Sequence, residues 1–72
     1  MKIIVTLDVV MAKRKMKLND LSKMVGISVT NLSLLKTGKA KGVRFSTLLS
    51  ICESLDCEPG DIIQIEKDNP EI

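Results

Sequence analysis

The sequence predicts a mainly α-helical domain of five short helices, with a small two-stranded sheet formed by the two ends of the chain. Apolar residues recur at helical spacing through the middle of the chain, and β-branched residues cluster near both ends. Glycines lie between the predicted helical segments. The chain has 72 residues, of which 44% are hydrophobic, which is enough for one packed core. We therefore expect a single domain over residues 1–72, with a helical core at about residues 7–64.

The two ends of the chain carry strand-like patterns. Residues 1–5 are a short β-branched run, and residues 64–67 continue an alternation of Ile63 and Ile65 with polar neighbours. Alone, either strand would leave backbone polar groups unpaired and apolar side chains exposed, so antiparallel pairing is expected. Pairing within one chain is the simpler arrangement, and an exchange of strands between two chains remains open.

Two helices are predicted before residue 26. Thr6 is placed to cap the first, at about residues 7–15, and the basic end of that helix suits both the helix dipole and a nearby phosphate. The second covers residues 18–25 and buries Leu21. Lys17 stands at its start, and this residue type predicts a weakly capped end.

A four-residue turn at Gly26 separates the second helix from a third. Gly26 is placed to adopt a positive φ, and Ser28 can cap the third helix over residues 29–36. Thr37 and Gly38 then close that helix. Two short helices joined in this way have the form of a helix-turn-helix, whose second helix enters the major groove of DNA.

The fourth and fifth helices follow a basic loop. The fourth is indicated by an apolar stripe at helical spacing, namely Leu48, Ile51, Cys52 and Leu55. Ser46 is the expected N-cap, and Phe45 is expected to anchor the core. Pro59 occupies the first position of a very short fifth helix, and Asp61 in its first turn favours the helix dipole.

Charge is divided unevenly along the chain. Residues 1–44 hold ten Lys and Arg against two acidic residues, and residues 45–72 hold one Lys against seven acidic residues. A cationic face of this kind predicts an acidic partner, and nucleic acid is the first candidate. The alternative is that the lysines are scattered over solvated faces.

Several classes of protein are excluded or disfavoured by composition. With no His and only Cys52 and Cys57, we expect neither a metal nor a cofactor, and both thiols are interpreted as structural. No nucleophile–base pair or phosphate-binding loop indicates an enzyme, and no small-molecule ligand is indicated. No apolar run approaches the roughly 20 residues of a membrane span, and no signal peptide is visible. We therefore expect a cytoplasmic protein.

The run VGISVTNLSLLKTGKAKGVRF at residues 25–45 resembles the lambdoid phage repressor and Cro family of helix-turn-helix domains, also called the xenobiotic-response-element type. The likeness is strongest to small stand-alone prokaryotic regulators with LKTGKAKxxRFSTL and an ending like CxPGDII. With similar helices on both sides, it covers about residues 7–64. The resemblance implies a repressor-like bundle of five short helices that binds double-stranded DNA, commonly as a dimer.

Two groups of residues are the expected contacts with DNA. The outer side of the third helix would read bases through Val29, Thr30, Ser33 and Leu34. The loop and the helix ends would contact phosphates through Ser28, Thr37, Lys39, Lys41 and Arg44. The base-reading group lacks the Arg, Gln and Asn that make bidentate base contacts, so methyl contacts, hydroxyl hydrogen bonds and DNA shape must carry most of the specificity.

The leading hypothesis is a non-enzymatic, sequence-specific regulator of transcription, a repressor that binds a palindromic site as a homodimer. Its dimer surface is expected in the C-terminal half, around Ile62, Ile63 and Ile65. The alternative is a protein-interaction module or antitoxin-like subunit on the same fold, with weak DNA specificity.

Overall fold

The computed structural model describes residues 1–67, which form five helices and two strands. In chain order these are β1 (Lys2–Val5), α1 (Leu7–Lys13), α2 (Leu18–Val25), α3 (Val29–Lys36), α4 (Phe45–Leu55), α5 (Pro59–Ile62) and β2 (Ile63–Glu66). The predicted fold class is confirmed. None of the described helices is long and apolar enough to cross a membrane.

The two strands pair antiparallel, as predicted, and in this structure the pairing lies within one chain. The register places Lys2 opposite Glu66 and Val5 opposite Ile63. Val5 and Ile63 pack against the helical core, whereas Ile3 and its partner Ile65 are exposed. The sheet is therefore fastened to the bundle at one end, and its other end projects beyond the core.

The core consists of ten buried side chains drawn from all five helices: Leu7, Val10, Met11, Leu21, Leu32, Leu35, Ile51, Cys52, Leu55 and Ile62. Each large aliphatic side chain buried in this way stabilises the fold by about 1.5–3 kcal/mol. Because Leu32 and Leu35 both point inward, they fix the rotation of α3 about its axis. The opposite side of α3 consequently faces solvent.

Two capping expectations differ from the structure. Thr6 is the N-cap residue of α1 as predicted, but its hydroxyl donates to the backbone oxygen of Asp61 at 2.7 Å and makes no capping hydrogen bond to the helix. At α4, Arg44 in an extended conformation is the N-cap, and its carbonyl oxygen accepts from the N–H of Leu48 at 2.9 Å. The helix therefore begins before Ser46, the residue chosen for its capping chemistry.

Two burial expectations are also wrong. Phe45 is 88% exposed and does not anchor the core; Ile51, Cys52 and Leu55 are the residues of α4 that fill the interior. Ile62, expected at a dimer surface, is fully buried. It is the last residue of α5, and it packs into the core with that helix.

Candidate nucleic-acid interface

The turn between α2 and α3 is held by one glycine and one buried serine. Gly26 has φ of 84°, and its N–H donates to the carbonyl oxygen of Ser22 at 2.8 Å. The Ser22 hydroxyl, which is buried, donates to the carbonyl oxygen of Ile27 at 2.5 Å. The turn geometry therefore follows from the local sequence. Ser22 was not among the residues predicted from the sequence, although its position four residues before the turn glycine is a usable signal.

Ser28 caps α3 as predicted. Its backbone is extended, and its hydroxyl oxygen accepts from the backbone N–H of Asn31 at 3.1 Å. This bond satisfies one of the free N–H groups at the start of α3. The remaining N–H groups of the first turn and the helix dipole favour an anion at this end.

The four predicted base-reading residues share the side of α3 that faces away from the core. At 100° per residue, Val29, Thr30, Ser33 and Leu34 span one half of the helix surface, opposite Leu32 and Leu35. Val29 and Leu34 are each 41% exposed, Thr30 is exposed and Ser33 is half-buried. The structure thus brings these four residues together on one accessible surface.

The loop after α3 is fastened to the last turn of that helix by backbone hydrogen bonds. Gly38, with φ of 78°, reverses the chain. The N–H groups of Lys39 and Ala40 then both donate to the carbonyl oxygen of Leu34, at 2.8 and 3.1 Å. Lys39 and Lys41 are exposed on this loop. The backbone of Lys39 is consequently fixed relative to α3, and Lys41 follows two residues later.

Thr37 is already engaged within the protein. Its hydroxyl, at the C-cap of α3, lies 2.9 Å from the carbonyl oxygen of Ser33 and 3.3 Å from that of Leu34. A hydroxyl has one proton to donate, and a phosphate oxygen accepts only. A phosphate contact through this hydroxyl would therefore require its rotation away from α3.

Arg44 lies at the start of α4, beside the predicted base-reading surface. It borders a groove of about 340 Å³ whose wall on the side of α3 includes Asn31 and Leu34. Arg44 itself is exposed. The first backbone N–H groups of α4 follow Arg44 directly and add a second helix N-terminus. The sequence-based prediction placed this helix start later along the chain, because Ser46 was the expected N-cap.

Arg14, at the basic end of α1, takes a structural role and is not free for a phosphate. Its Nε donates to the carbonyl oxygen of Leu55 at 2.7 Å, and its Nη2 donates to that of Asp56 at 2.9 Å. Asp56 ends α4 in the left-handed conformation, with φ of 51°. Arg14 thus satisfies two carbonyl groups at the C-terminus of α4 and ties α1 to it.

The two thiols are poorly suited to nucleophilic chemistry. Burial, reinforced by the neighbouring Cys57 and by Glu58 and Asp61, raises the pKa of Cys52 to about 11. Burial also raises the pKa of Cys57. Both are free thiols, and at neutral pH they are protonated. Within residues 1–67, no cluster of three or more His, Cys, Asp or Glu side chains could hold a metal ion.

Comparison with known proteins agrees with this geometry. A family model described as a Cro/C1-type HTH DNA-binding domain matches residues 6–68. YozG of Bacillus subtilis (strain 168), described as an uncharacterized HTH-type transcriptional regulator, is 54% identical over 68 residues, which cover 94% of this chain and 81% of that protein.

The crystal structure of "a putative DNA-binding protein from Bacteroides fragilis" is similar to this one with a TM-score of 0.78. The match covers 88% of this chain and 100% of that one, at 21% sequence identity, and so shows the fold alone. The family match and the close relative confirm the resemblance seen in the sequence. The chain therefore belongs to the Cro/C1-type family of HTH DNA-binding domains, which are DNA-binding regulators and not a class of enzyme.

Proposed function

We propose that this chain represses transcription by binding a palindromic DNA site as a homodimer. In this proposal α3 lies in the major groove, where Val29, Thr30 and Ser33 face base edges and Leu34 lies at the margin. The observation that carries the proposal is the accessible outer side of α3, next to a cationic loop fastened to its last turn.

The phosphate contacts would surround this helix. Lys39 and Lys41 extend from the loop, Arg44 lies across the groove from α3, and Ser28 starts the helix. Thr37 joins this group only when its hydroxyl turns from the Ser33 carbonyl to a phosphate. Each phosphate neutralised releases condensed counterions, so binding should weaken as the salt concentration rises.

Specificity requires two copies because one α3 contacts only a few base pairs. Val29, Thr30, Ser33 and Leu34 offer methyl groups and hydroxyls, which suit thymine methyls and short hydrogen bonds better than bidentate recognition of guanine. Two such helices about one helical turn apart would read an inverted repeat. Occupying that site is sufficient to exclude other proteins from it, and residues 1–72 would act as one domain in the cytoplasm.

The test is selection of bound duplexes from a random pool, followed by fluorescence anisotropy titrations of the selected and random DNA at several salt concentrations. We expect enrichment of an inverted repeat with half-sites roughly 10 base pairs apart, bound at least about 1,000-fold more tightly than random DNA. Repression is then tested with a reporter gene whose promoter carries the selected site. Activation of this reporter would contradict the proposed sign of regulation.

A second candidate function is a protein-interaction or antitoxin-like subunit with weak DNA specificity. The observation in its favour is the composition of the base-reading surface, which has no Arg, Gln or Asn among its four members. The same titration separates the two functions. Equal affinity for selected and random duplexes, with a steep salt dependence, would favour the second candidate.

A further inference from the structure

The two cysteines of the chain lie at the C-terminal end of α4. Asp56 follows Leu55, the last residue of this helix, in the left-handed conformation with φ of 51°. The N–H of Cys57 then donates to the carbonyl oxygen of Cys52 at 3.0 Å. This is the Schellman motif, in which the side chain of the second residue after the helix packs near the helix residue whose carbonyl it bonds. The end of α4 therefore places Cys57 beside Cys52.

The two thiols are close enough to act on each other. Burial raises the pKa of Cys52, and the neighbouring Cys57 raises it further. Burial also raises the pKa of Cys57, whereas Cys52 opposes that rise. Standard bond lengths and the backbone hydrogen bond between these residues put their Cα atoms roughly 6 Å apart or less. A disulfide spans about 4.4–6.8 Å between Cα atoms, so this pair can be bridged.

Arg14 holds the segment between the cysteines in place. Its guanidinium donates to the carbonyl oxygens of Leu55 and Asp56 at 2.7 and 2.9 Å, and both residues lie between Cys52 and Cys57 in sequence. The segment is therefore tied to α1 as well as to its own helix. Because the folded chain holds the thiols in one arrangement, closing a disulfide here costs less conformational entropy than in the unfolded chain.

Both thiols open onto the protein surface, and Cys57 is the more accessible. They line one shallow groove of about 400 Å³, in which Cys52 is 8% exposed and Cys57 is half-buried. Cys57 also borders a second groove of about 280 Å³, lined by Lys13, Arg14 and Asp61 among others. The charged side chains of this second groove sum to a net positive charge. A small disulfide that carries carboxylates can therefore approach Cys57 from this side.

We propose that Cys52 and Cys57 form a reversible intrachain disulfide by exchange with a small disulfide of the glutathione class. The Cys57 sulfur attacks the small disulfide and breaks its S–S bond, and the first small thiol leaves with the proton of Cys57. The Cys52 sulfur then attacks the Cys57 sulfur, and the second small thiol leaves with the proton of Cys52. Two protein thiols are oxidised, and one small disulfide is reduced to two thiols.

The fold acts on the equilibrium of this exchange and not on its speed. Both thiols are protonated at neutral pH, so the exchange is slow. By thermodynamic linkage, the factor by which folding favours the disulfide equals the factor by which the disulfide favours folding. We expect this factor to be about tenfold or more, which raises the melting temperature of the oxidised chain by roughly 5–10 °C for each tenfold. Stability would then depend on the redox state, independently of DNA binding.

The first test equilibrates the full chain with reduced and oxidised glutathione at several ratios, starting from the reduced and from the oxidised protein. The matched control is the same chain unfolded in urea. Acid quenching, alkylation of the remaining thiols and mass spectrometry then count the free thiols. The folded chain should form the intrachain disulfide with an equilibrium constant at least about tenfold larger than the unfolded chain. Equal constants, or a glutathione adduct or interchain disulfide as the main product of the folded chain, would overturn the proposal.

The second test separates the roles of the two thiols. With oxidised glutathione, Cys52→Ala should accumulate a mixed disulfide at Cys57, because no second thiol is present to displace the glutathione. Cys57→Ala should form the adduct at Cys52 more slowly, since Cys52 is the more buried thiol. Circular dichroism should show that both variants are folded during the reaction. Faster modification of Cys52 than of Cys57 would contradict the proposed order of exchange.

Discussion

The carbonyl oxygen of Leu34 accepts a hydrogen bond from the backbone N–H of Lys39 at 2.8 Å. The side chain of Leu34 lies on the outer side of α3, and the side chain of Lys39 extends from the following loop. The backbone alone therefore couples the proposed base-reading helix to the proposed phosphate-binding loop. It follows that side chains in the loop can be replaced without displacing α3.

The first prediction concerns this loop. Replacing Lys41 and Arg44 together by Ala should weaken binding to selected and random duplexes alike, because phosphate contacts carry no sequence information. The slope of log Kobs against log salt concentration should become shallower by about two units. Anisotropy titrations over a range of salt concentrations measure both effects.

Lys67→Ala is the control for the loop variant, because Lys67 is an exposed cation that follows β2, far along the chain from the loop. It should leave both affinity and slope near their original values. An unchanged slope in the double variant would move the phosphate contacts to another part of the surface.

The second prediction concerns Thr30, which offers a methyl group for thymine and a hydroxyl for a hydrogen bond. Thr30→Ala should cost about 1–3 kcal/mol at the selected site and almost nothing on random DNA. Thr30 is exposed, so the melting temperature should hardly change. Equal losses on both duplexes would assign Thr30 a structural role and would remove α3 as the reading helix.

Local signals predicted the helix-turn-helix well. Gly26 requires a positive φ, Ser28 has a short acceptor at a helix start, and Leu32 with Leu35 sets the inner side of α3. Each of these depends on residues close in sequence. The solvent-facing side of α3 followed directly, because it is the side opposite two core leucines; that this side reads bases stays a prediction.

Long-range contacts explain what the sequence alone did not reveal. Thr6 has the chemistry of a cap but bonds to the carbonyl of Asp61, which is 55 residues away. Arg14 has the character of a phosphate ligand, but the end of α4 supplies two carbonyl acceptors for it. For Thr6 and Arg14, a partner distant in sequence decides the role. Phe45 has the character of a core residue, yet it is exposed at the start of α4.

The third prediction concerns the sheet. Deleting residues 1–5 should lower the free energy of unfolding by about 2–3 kcal/mol, because Val5 packs on the core and β2 loses its backbone partner. Glu66→Ala is the matched control. Its ion pair with Lys2, at 3.4 Å, is largely solvated and should contribute less than about 1 kcal/mol. Equal urea midpoints for the truncated and complete chains would contradict the sheet pairing.

The fourth prediction concerns the turn between α2 and α3. Ser22→Ala removes the donor to the carbonyl oxygen of Ile27 and should destabilise the fold by about 1–3 kcal/mol, measured by urea unfolding.

In the same turn, Gly26→Ala should cost about 1 kcal/mol because Gly26 has a positive φ. No neighbouring atom would meet the new Cβ, so the backbone conformation is the only cause. Gly60→Ala is the control for Gly26. Its site is equally open and has no positive φ, and it lies within α5, so urea unfolding should show no loss or a small gain in stability.

The last prediction is a pH dependence that originates at Cys52. Burial raises the pKa of this thiol from 9.0 to about 11 in the folded protein. As the pH rises above 9.0, the unfolded chain loses this proton while the folded chain keeps it. The unfolded state then binds fewer protons, so the free energy of unfolding should fall as pH increases, up to about 11.

Lysine side chains titrate over the same range, so the effect of Cys52 is the difference between two proteins. Urea unfolding of wild type and Cys52→Ala should be compared at pH values from neutral to about 11. The variant starts less stable because it leaves a small cavity in the core. The gap between the two proteins should narrow with rising pH as the wild type loses the stabilising contribution of its protonated thiol. A gap that stays constant over this range would show that the Cys52 thiol ionises equally in the folded and unfolded chains.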